Sequence, residues 1–100
     1  MNRKERNRLD KIWKSDIRRL WSDKCAVCGK SNCKLDCHHL ISRTIPEFRH
    51  DNKNGILLCS GCHLFSKRNS AHSGSLVFHE WLRVTHPDIH NYLLNKLKTI

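Results

Sequence analysis

The chain of 100 residues is short enough for a single domain, residues 1–100, and its hydrophobic core alone would give little stability. Its 19 Lys and Arg against 9 Asp and Glu give a formal charge of +10, which favours a polyanionic partner, above all nucleic acid. No apolar segment suits a signal sequence or a membrane span, so we expect a cytoplasmic protein without a membrane partner. A basic surface kept only for solubility is the alternative, and charge cannot choose between DNA and RNA.

Residues 1–24 are predicted to form a basic amphipathic helix from about Arg3 to Trp21. The apolar face should pack on the rest of the protein. The basic face could follow a phosphate backbone, or it could be the solvated side of a helix that merely closes the core. The apolar positions are Leu9, Ile12, Trp13, Ile17, Leu20 and Trp21, and the basic ones are Arg3, Lys4, Arg6, Arg8, Lys11, Lys14, Arg18 and Arg19.

Residues 25–70 form the predicted centre of the domain, with the order strand, loop, strand, helix. Short polar residues and a glycine indicate a metal-binding turn before the first strand, and Pro46, Asp51 and Asn52 indicate a loop between the strands. The predicted elements are a turn at Cys25–Lys34, a strand at Leu35–Ile41, a loop at Thr44–Asn54, a strand at Ile56–Leu58 and a helix from Gly61 to about Ser70.

Residues 71–100 are predicted to form two further helices, Leu76–Thr85 and Ile89–Leu97. A break at residues 73–75 precedes the first of them, and Pro87 separates the two. Leu76, Val77, Trp81, Leu82 and Val84 should pack inward in the first, and Ile89, Leu93, Leu94 and Leu97 are the apolar positions of the second. Trp13, Trp21 and Trp81 are interpreted as core residues rather than platforms for stacked bases.

Four of the six cysteines form two CxxC pairs, Cys25 with Cys28 and Cys59 with Cys62. In a chain expected to keep its thiols reduced, two such pairs predict one tetrahedral zinc site. A shell of four thiolates has no open position, so the zinc should be structural, and it would pin the start of the first strand to the start of the helix. Free thiols, an iron site and disulfides are the alternatives.

Cys33 and Cys37 remain outside these pairs. We interpret them as buried or half-buried free thiols. An alternate zinc ligand or a second, weak metal site is the competing interpretation.

The order of the remaining motifs is typical of one family. Cys25-x-x-Cys28, then His38-His39-Leu40-Ile41, then Asn54-Gly55-Ile56-Leu57-Leu58-Cys59-x-x-Cys62-His63 resembles the HNH endonucleases in their four-cysteine, often phage-encoded form. The resemblance covers residues 25–67. It implies an α+β fold with a small ββα-metal, treble-clef-like core, flanked here by the leading helix and the trailing helices.

The resemblance also implies a role for each matched residue. His38 and His63 would hold a catalytic divalent ion (Mg²⁺, Mn²⁺ or Ni²⁺), His39 would be the general base, and Asn54 would orient His39 by a hydrogen bond. Histidine suits the base because its pKa of about 6.5 lets it accept a proton from water near neutral pH. The ion would stabilise charge on the phosphate and the departing oxygen.

Strand geometry raises a difficulty for this assignment. Adjacent residues of a regular strand point to opposite faces, so His38 and His39 could face one cleft only if the strand ends or bulges there. The resemblance favours an end, with the following loop turning over the site. Asp36 would share the side of His38, either as a carboxylate that orients it or, as we favour, as an exposed acid.

Other basic residues are assigned by their position near the motifs. Arg43, Lys67 and Arg68 flank the predicted site and are hypothesised to bind phosphates of DNA. His72 is close enough to the helix to touch a phosphate, but we favour no role for it. His50, His79, His86 and His90 are interpreted as ordinary surface or core histidines.

The sequence therefore predicts a metal-dependent DNA endonuclease with one active site, acting as a monomer or a homodimer. It would leave 5′-phosphate and 3′-hydroxyl ends, as the resemblance implies. A zinc-stabilised nucleic-acid-binding module without catalytic activity is the main alternative. A protein-interaction zinc domain ranks below both because of the charge.

Overall fold

The computed structural model describes residues 1–62 and 74–100, with side chains described from Phe78 in the second range. The elements, in chain order, are helix α1 (Arg3–Leu20), strand β1 (Leu35–His39), helix α2 (Pro46–Arg49), strand β2 (Gly55–Cys59), helix α3 (Gly74–Thr85) and helix α4 (Pro87–Lys98). Residues 60–62, directly after β2, are also helical. The predicted α+β class is confirmed. Contacts divide the chain into two compact units, Met1–Ser60 and Gly61–Ile100.

Helix α1 forms where the amphipathic pattern predicts it. Asn2 caps its start, because its side-chain oxygen accepts a hydrogen bond of 2.8 Å from the backbone N–H of Glu5. Trp13 and Ile17 are buried as predicted, but Ile12 and Leu20 are 46% and 50% exposed. The predicted apolar face was too wide, because a helix packed on a sheet of only two strands buries a narrow stripe.

Strands β1 and β2 pair antiparallel, in a register that runs from Leu35 opposite Cys59 to His39 opposite Gly55. β1 was predicted to reach Ile41 but ends at His39. The reason lies in the loop: the side-chain amide of Asn54 binds both the N–H and the carbonyl of Ile41, in place of a neighbouring strand. Every residue of β2 is buried.

The loop predicted at Thr44–Asn54 contains a short helix, α2. Its first residue is Pro46, a residue that the sequence pattern assigns to the loop. The ring of a proline fits the first helical position, where no N–H bond is needed, so the same residue that excludes a strand begins a helix. The helix buries Phe48, which has no exposed surface.

Helix α1 approaches the sheet most closely at Gly55. A Cβ atom at this position would lie 2.6 Å from Ile17 Cδ1 and would collide with Trp13 Cζ2. The indole N–H of Trp21 also donates to the Gly55 carbonyl at 3.0 Å. Only glycine therefore lets the helix lie this close to β2.

In the second unit, α3 begins at Gly74, inside the predicted break, and α4 begins at Pro87 rather than Ile89. Leu82 and Leu93 are buried as predicted, whereas Val84 is 65% exposed and its predicted inward packing was wrong. Phe78 is buried instead and contacts Trp81, with ring centroids 5.3 Å apart. The side chains of Leu76 and Val77 lie outside the described part.

No helix among the described residues is both long enough and apolar enough to cross a membrane.

Candidate functional site

The four paired cysteines come together in space. The Sγ atoms of Cys25, Cys28, Cys59 and Cys62 all lie within 4.8 Å of one another, and those of Cys28 and Cys59 are 3.6 Å apart. Four thiolates arranged tetrahedrally at about 2.3 Å from zinc would be about 3.8 Å from each other. The cluster therefore has the composition and the spacing to hold one metal ion such as zinc.

Backbone hydrogen bonds form the first cysteine turn and fix it to β2. The N–H of Gly29 donates to the Cys25 carbonyl at 2.9 Å, and Gly29 takes a positive φ of 78° that suits glycine. The N–H of Ala26 donates to the carbonyl of Leu57 at 2.8 Å. Because Leu57 stands two residues before Cys59, this bond brings the two cysteine pairs together.

The environment of Cys25 favours the thiolate that a metal ion needs. Burial by itself would raise the pKa of the Cys25 thiol, but hydrogen bonds from the backbone N–H groups of Cys28, Cys59 and Val27 outweigh burial and lower this pKa. The cysteine turns thus stabilise negative charge on sulfur.

The two surplus cysteines, Cys33 and Cys37, form no disulfide and do not belong to the four-cysteine group of the described residues. Cys37 is half-buried, with its Sγ 3.6 Å from the Lys14 carbonyl, and burial raises the pKa of its thiol. Cys33 is exposed, which differs from its predicted burial.

His39 is held rigidly at the end of β1. Its ring stacks on Trp13 with centroids 3.9 Å apart and planes 4° from parallel. Its Nε2 lies 3.0 Å from the carbonyl oxygen of Arg49. A carbonyl can only accept, so Nε2 carries the proton, and in the neutral ring Nδ1 keeps a lone pair. Burial lowers the pKa of His39, so the ring is neutral at pH 7.

The predicted hydrogen bond from Asn54 to His39 is wrong. Asn54 is completely buried, and both of its amide donors are used: they bind the carbonyls of Ile41 and Phe48 at 3.0 Å each. Its oxygen accepts from the Ile41 N–H at 2.7 Å. Asn54 therefore shapes the loop, and the residue after Phe48 supplies the carbonyl that binds His39.

Asp10 of α1 also fixes this loop, by binding Arg49 and His50. Its carboxylate accepts two bonds from Arg49, Nε at 2.9 Å and Nη2 at 2.8 Å, and one from His50 Nε2 at 2.7 Å. The Arg49 guanidinium is the main reason why the pKa of Asp10 lies well below its usual range. Trp13 adds a third tie, since its indole N–H donates to the Asp51 carbonyl at 2.8 Å.

His38 and His39 both pair regularly with β2. Alternation along the strand gives His38 the side of Asp36, whereas His39 and Cys37 contact α1. Strand β1 thus ends at His39, but His38, the predicted ligand, and His39, the predicted base, do not lie on one face of it. Asp36, which we expected to be exposed, is half-buried.

The remaining predicted site residues divide by position. His63, Lys67, Arg68 and His72 lie outside the described residues. Arg43 is exposed on the loop after β1, near enough for its charge to contribute to the lowered pKa of His39. The four cysteines are the metal-ligand group that the described residues form.

Sequence reasoning missed Asp10, Arg49 and His50, which together position the loop beside His39. One signal was available: Asp10 is an acidic residue inside a strongly basic helix. Gly55 carried a second signal, because a glycine within an apolar strand often marks a close backbone approach.

Comparisons of the chain with family models, curated proteins and solved structures found no match. The resemblance to the HNH endonucleases therefore rests on the motifs alone.

Proposed function

We propose that this protein is a metal-dependent endonuclease that hydrolyses phosphodiester bonds of DNA. The observation that carries the proposal is the setting of His39, a neutral imidazole fixed by Trp13 and by the Arg49 carbonyl, with Nδ1 left as a proton acceptor. The motif from Cys25 to His63 supports the same proposal.

In the proposed reaction, Nδ1 of His39 takes a proton from water. The water oxygen forms a bond to phosphorus while the bond from phosphorus to the 3′ oxygen breaks. The 3′ oxygen takes a proton from solvent water and His39 returns its proton to solvent, so the products are a 3′-hydroxyl and a 5′-phosphate. The Arg49 carbonyl stabilises the imidazolium by accepting from Nε2 throughout, and the stack on Trp13 keeps the ring in one orientation.

The catalytic ion rests on the family resemblance alone, because β1 places His38 and His39 on opposite faces of the strand. His38 and His63 would hold Mg²⁺, Mn²⁺ or Ni²⁺, which when bound would neutralise charge on the phosphate and the departing oxygen. The zinc at the four cysteines would be separate and structural, because a filled thiolate shell cannot take substrate.

The substrate assignment is supported by charge. The net charge of +10 attracts a polyanion, and Arg43 stands exposed on the loop that also carries Arg49. Lys67 and Arg68, which lie outside the described residues, would add further phosphate contacts.

The test uses supercoiled plasmid, the full-length zinc-loaded protein and added Mg²⁺, Mn²⁺ or Ni²⁺, with a sample lacking these ions. His39→Gln can keep a donor near the Arg49 carbonyl but has no basic nitrogen, and we expect it to nick about 100-fold more slowly or worse. His79→Ala, at an exposed histidine of α3, is the matched control and should nick normally.

Two outcomes would contradict the proposal. No nicking with any ion would leave a zinc-stabilised DNA-binding module without catalytic activity. Normal nicking by a folded His39→Gln variant would remove the base assignment while leaving the activity.

A further inference from the structure

The first unit contains a cleft of about 380 Å³ between the start of α1, the loop after β1 and α2. Its wall includes Arg6, Arg43, Thr44, Pro46, Arg49 and His50. Arg49 is also the residue whose carbonyl accepts the hydrogen bond from His39. The cleft therefore adjoins the base of the proposed reaction.

The cations of the cleft fall into two groups. Arg49 is paired with Asp10, to which His50 also binds, so the charge of this carboxylate offsets that of Arg49. Arg6 and Arg43 are exposed, and neither forms an ion pair with another described residue. Two unpaired guanidinium groups thus face one concave surface, one from the leading helix and one from the loop.

Guanidinium groups bind phosphate through paired N–H donors, and two of them can grip one phosphodiester from different sides. The Thr44 side chain, which lines the same cleft, adds a hydroxyl that can donate to a phosphate oxygen. The cleft is open to solvent along its edge, which suits a phosphate within a continuous strand.

We propose that Arg6 and Arg43 form a binding site for a backbone phosphate of the DNA strand, next to the phosphate that is attacked by the water His39 deprotonates. This inference rests on the proposed function. It assigns α1 a direct part in substrate binding and selects Arg6 from the many cations of its basic face.

The experiment measures binding of a fluorescein-labelled DNA duplex by anisotropy at several salt concentrations, without added divalent ions, so that no cleavage occurs. The proteins are the full chain, Arg6→Gln, Arg43→Gln and the charge-matched control Arg8→Gln. Arg8 lies two residues from Arg6 on α1 but is ion-paired with Glu5 and does not line the cleft.

We expect Arg6→Gln and Arg43→Gln each to lower the slope of log K against log salt by up to about 0.9, the value for one neutralised phosphate. Arg8→Gln should keep the slope of the unmodified protein. Equal slopes for all four proteins, or equal losses for all three variants, would overturn the proposal, since the second result means that only net charge matters.

A competition arm identifies the source of the phosphate. Inorganic phosphate, compared with chloride at the same ionic strength, should displace the duplex only weakly. Full displacement at low millimolar phosphate would identify a site for a small free phosphate and would also overturn the proposal.

The outcomes separate this site from the proposed reaction. If plasmid is never nicked but the two slope changes appear, the phosphate site stands and the endonuclease proposal fails. If nicking is metal-dependent and the slopes do not change, the endonuclease proposal stands and the phosphate site fails.

Discussion

Different kinds of interaction stabilise the unit Met1–Ser60 and, within the second unit, the pair of helices α3 and α4. In the first, side chains bind backbone groups far away in sequence: Trp13 binds the Asp51 carbonyl, Trp21 that of Gly55 and Arg18 that of Leu35. In the helix pair, Phe78, Leu82 and Leu93 are buried, and Trp81 contacts the rings of Phe78 and His86.

The difference bears on how each region tolerates change. A hydrogen bond to a particular carbonyl requires one donor in one position, whereas apolar packing requires mainly the right volume. The unit Met1–Ser60, which holds His39, should therefore be sensitive to the identity of each residue. The helix pair should respond in proportion to the volume removed.

The largest effect is expected from Cys25→Ser. Binding of structural zinc contributes about 10 kcal/mol or more to folding in small zinc domains, which is comparable to the whole stability of a domain. The variant should lose bound zinc, measured by elemental analysis, and its cooperative melting transition, followed by circular dichroism. Cys33→Ser, at an exposed free thiol, should change neither. A zinc-free Cys25→Ser protein that melts normally would refute the structural role of the cluster.

Asn54→Leu should follow, with a loss of about 4 kcal/mol in the free energy of unfolding. The substitution keeps a similar volume but leaves the N–H and carbonyl of Ile41 and the carbonyl of Phe48 without their partner. Urea unfolding monitored by tryptophan fluorescence measures the loss. Asn52→Leu, at an exposed turn position, is the control and should cost little. Equal stabilities of the two variants would count against the bonded loop.

Leu93→Ala should cost about 3 kcal/mol, because it opens a cavity in the helix pair. Leu93→Met, which nearly conserves volume, should cost less than about 1.5 kcal/mol. Leu94→Ala, at a neighbouring position that is 41% exposed, is the matched control. Thermal unfolding of the three variants measures whether the loss of stability at Leu93 follows the volume removed. If Leu93→Met is as unstable as Leu93→Ala, packing by volume is contradicted.

Asp10→Asn should have the smallest effect of the four, about 2 kcal/mol, since it weakens the charged bond to Arg49 and the hydrogen bond to His50, which are only partly buried. Asp16→Asn removes an acid of the same helix that pairs with Arg19 at the surface, and it should cost less.

The pH dependence of this variant has a defined sign. The pKa of Asp10 is lowered by folding, so its contribution is complete above the unfolded-chain value of about 3.9 and declines as pH falls below it. The difference in stability between the unmodified protein and Asp10→Asn should not decrease between pH 7 and 5.5, because Asp10 stays ionised throughout. A difference that shrinks within this range would show that another group carries the effect.

The sequence by itself determined helix α1, the two strands, the two last helices and the group of four paired cysteines. The helical repeat of apolar and basic residues predicted α1, and the two CxxC pairs predicted the group of four thiols. Both signals depend only on spacing along the chain. The start of α2 at Pro46 and of α4 at Pro87 was missed, since proline is equally compatible with a loop and with the first position of a helix.

Only the tertiary structure decided the partners of the polar side chains. Asn54 could have bound His39 or the loop, and its burial beside Ile41 and Phe48 selected the loop. Likewise, His39 Nε2 hydrogen-bonds to the carbonyl of Arg49, and Asp10 of helix α1 holds Arg49 in position. Sequence spacing cannot specify such pairs, because every backbone carbonyl is an equivalent acceptor until packing brings one within reach.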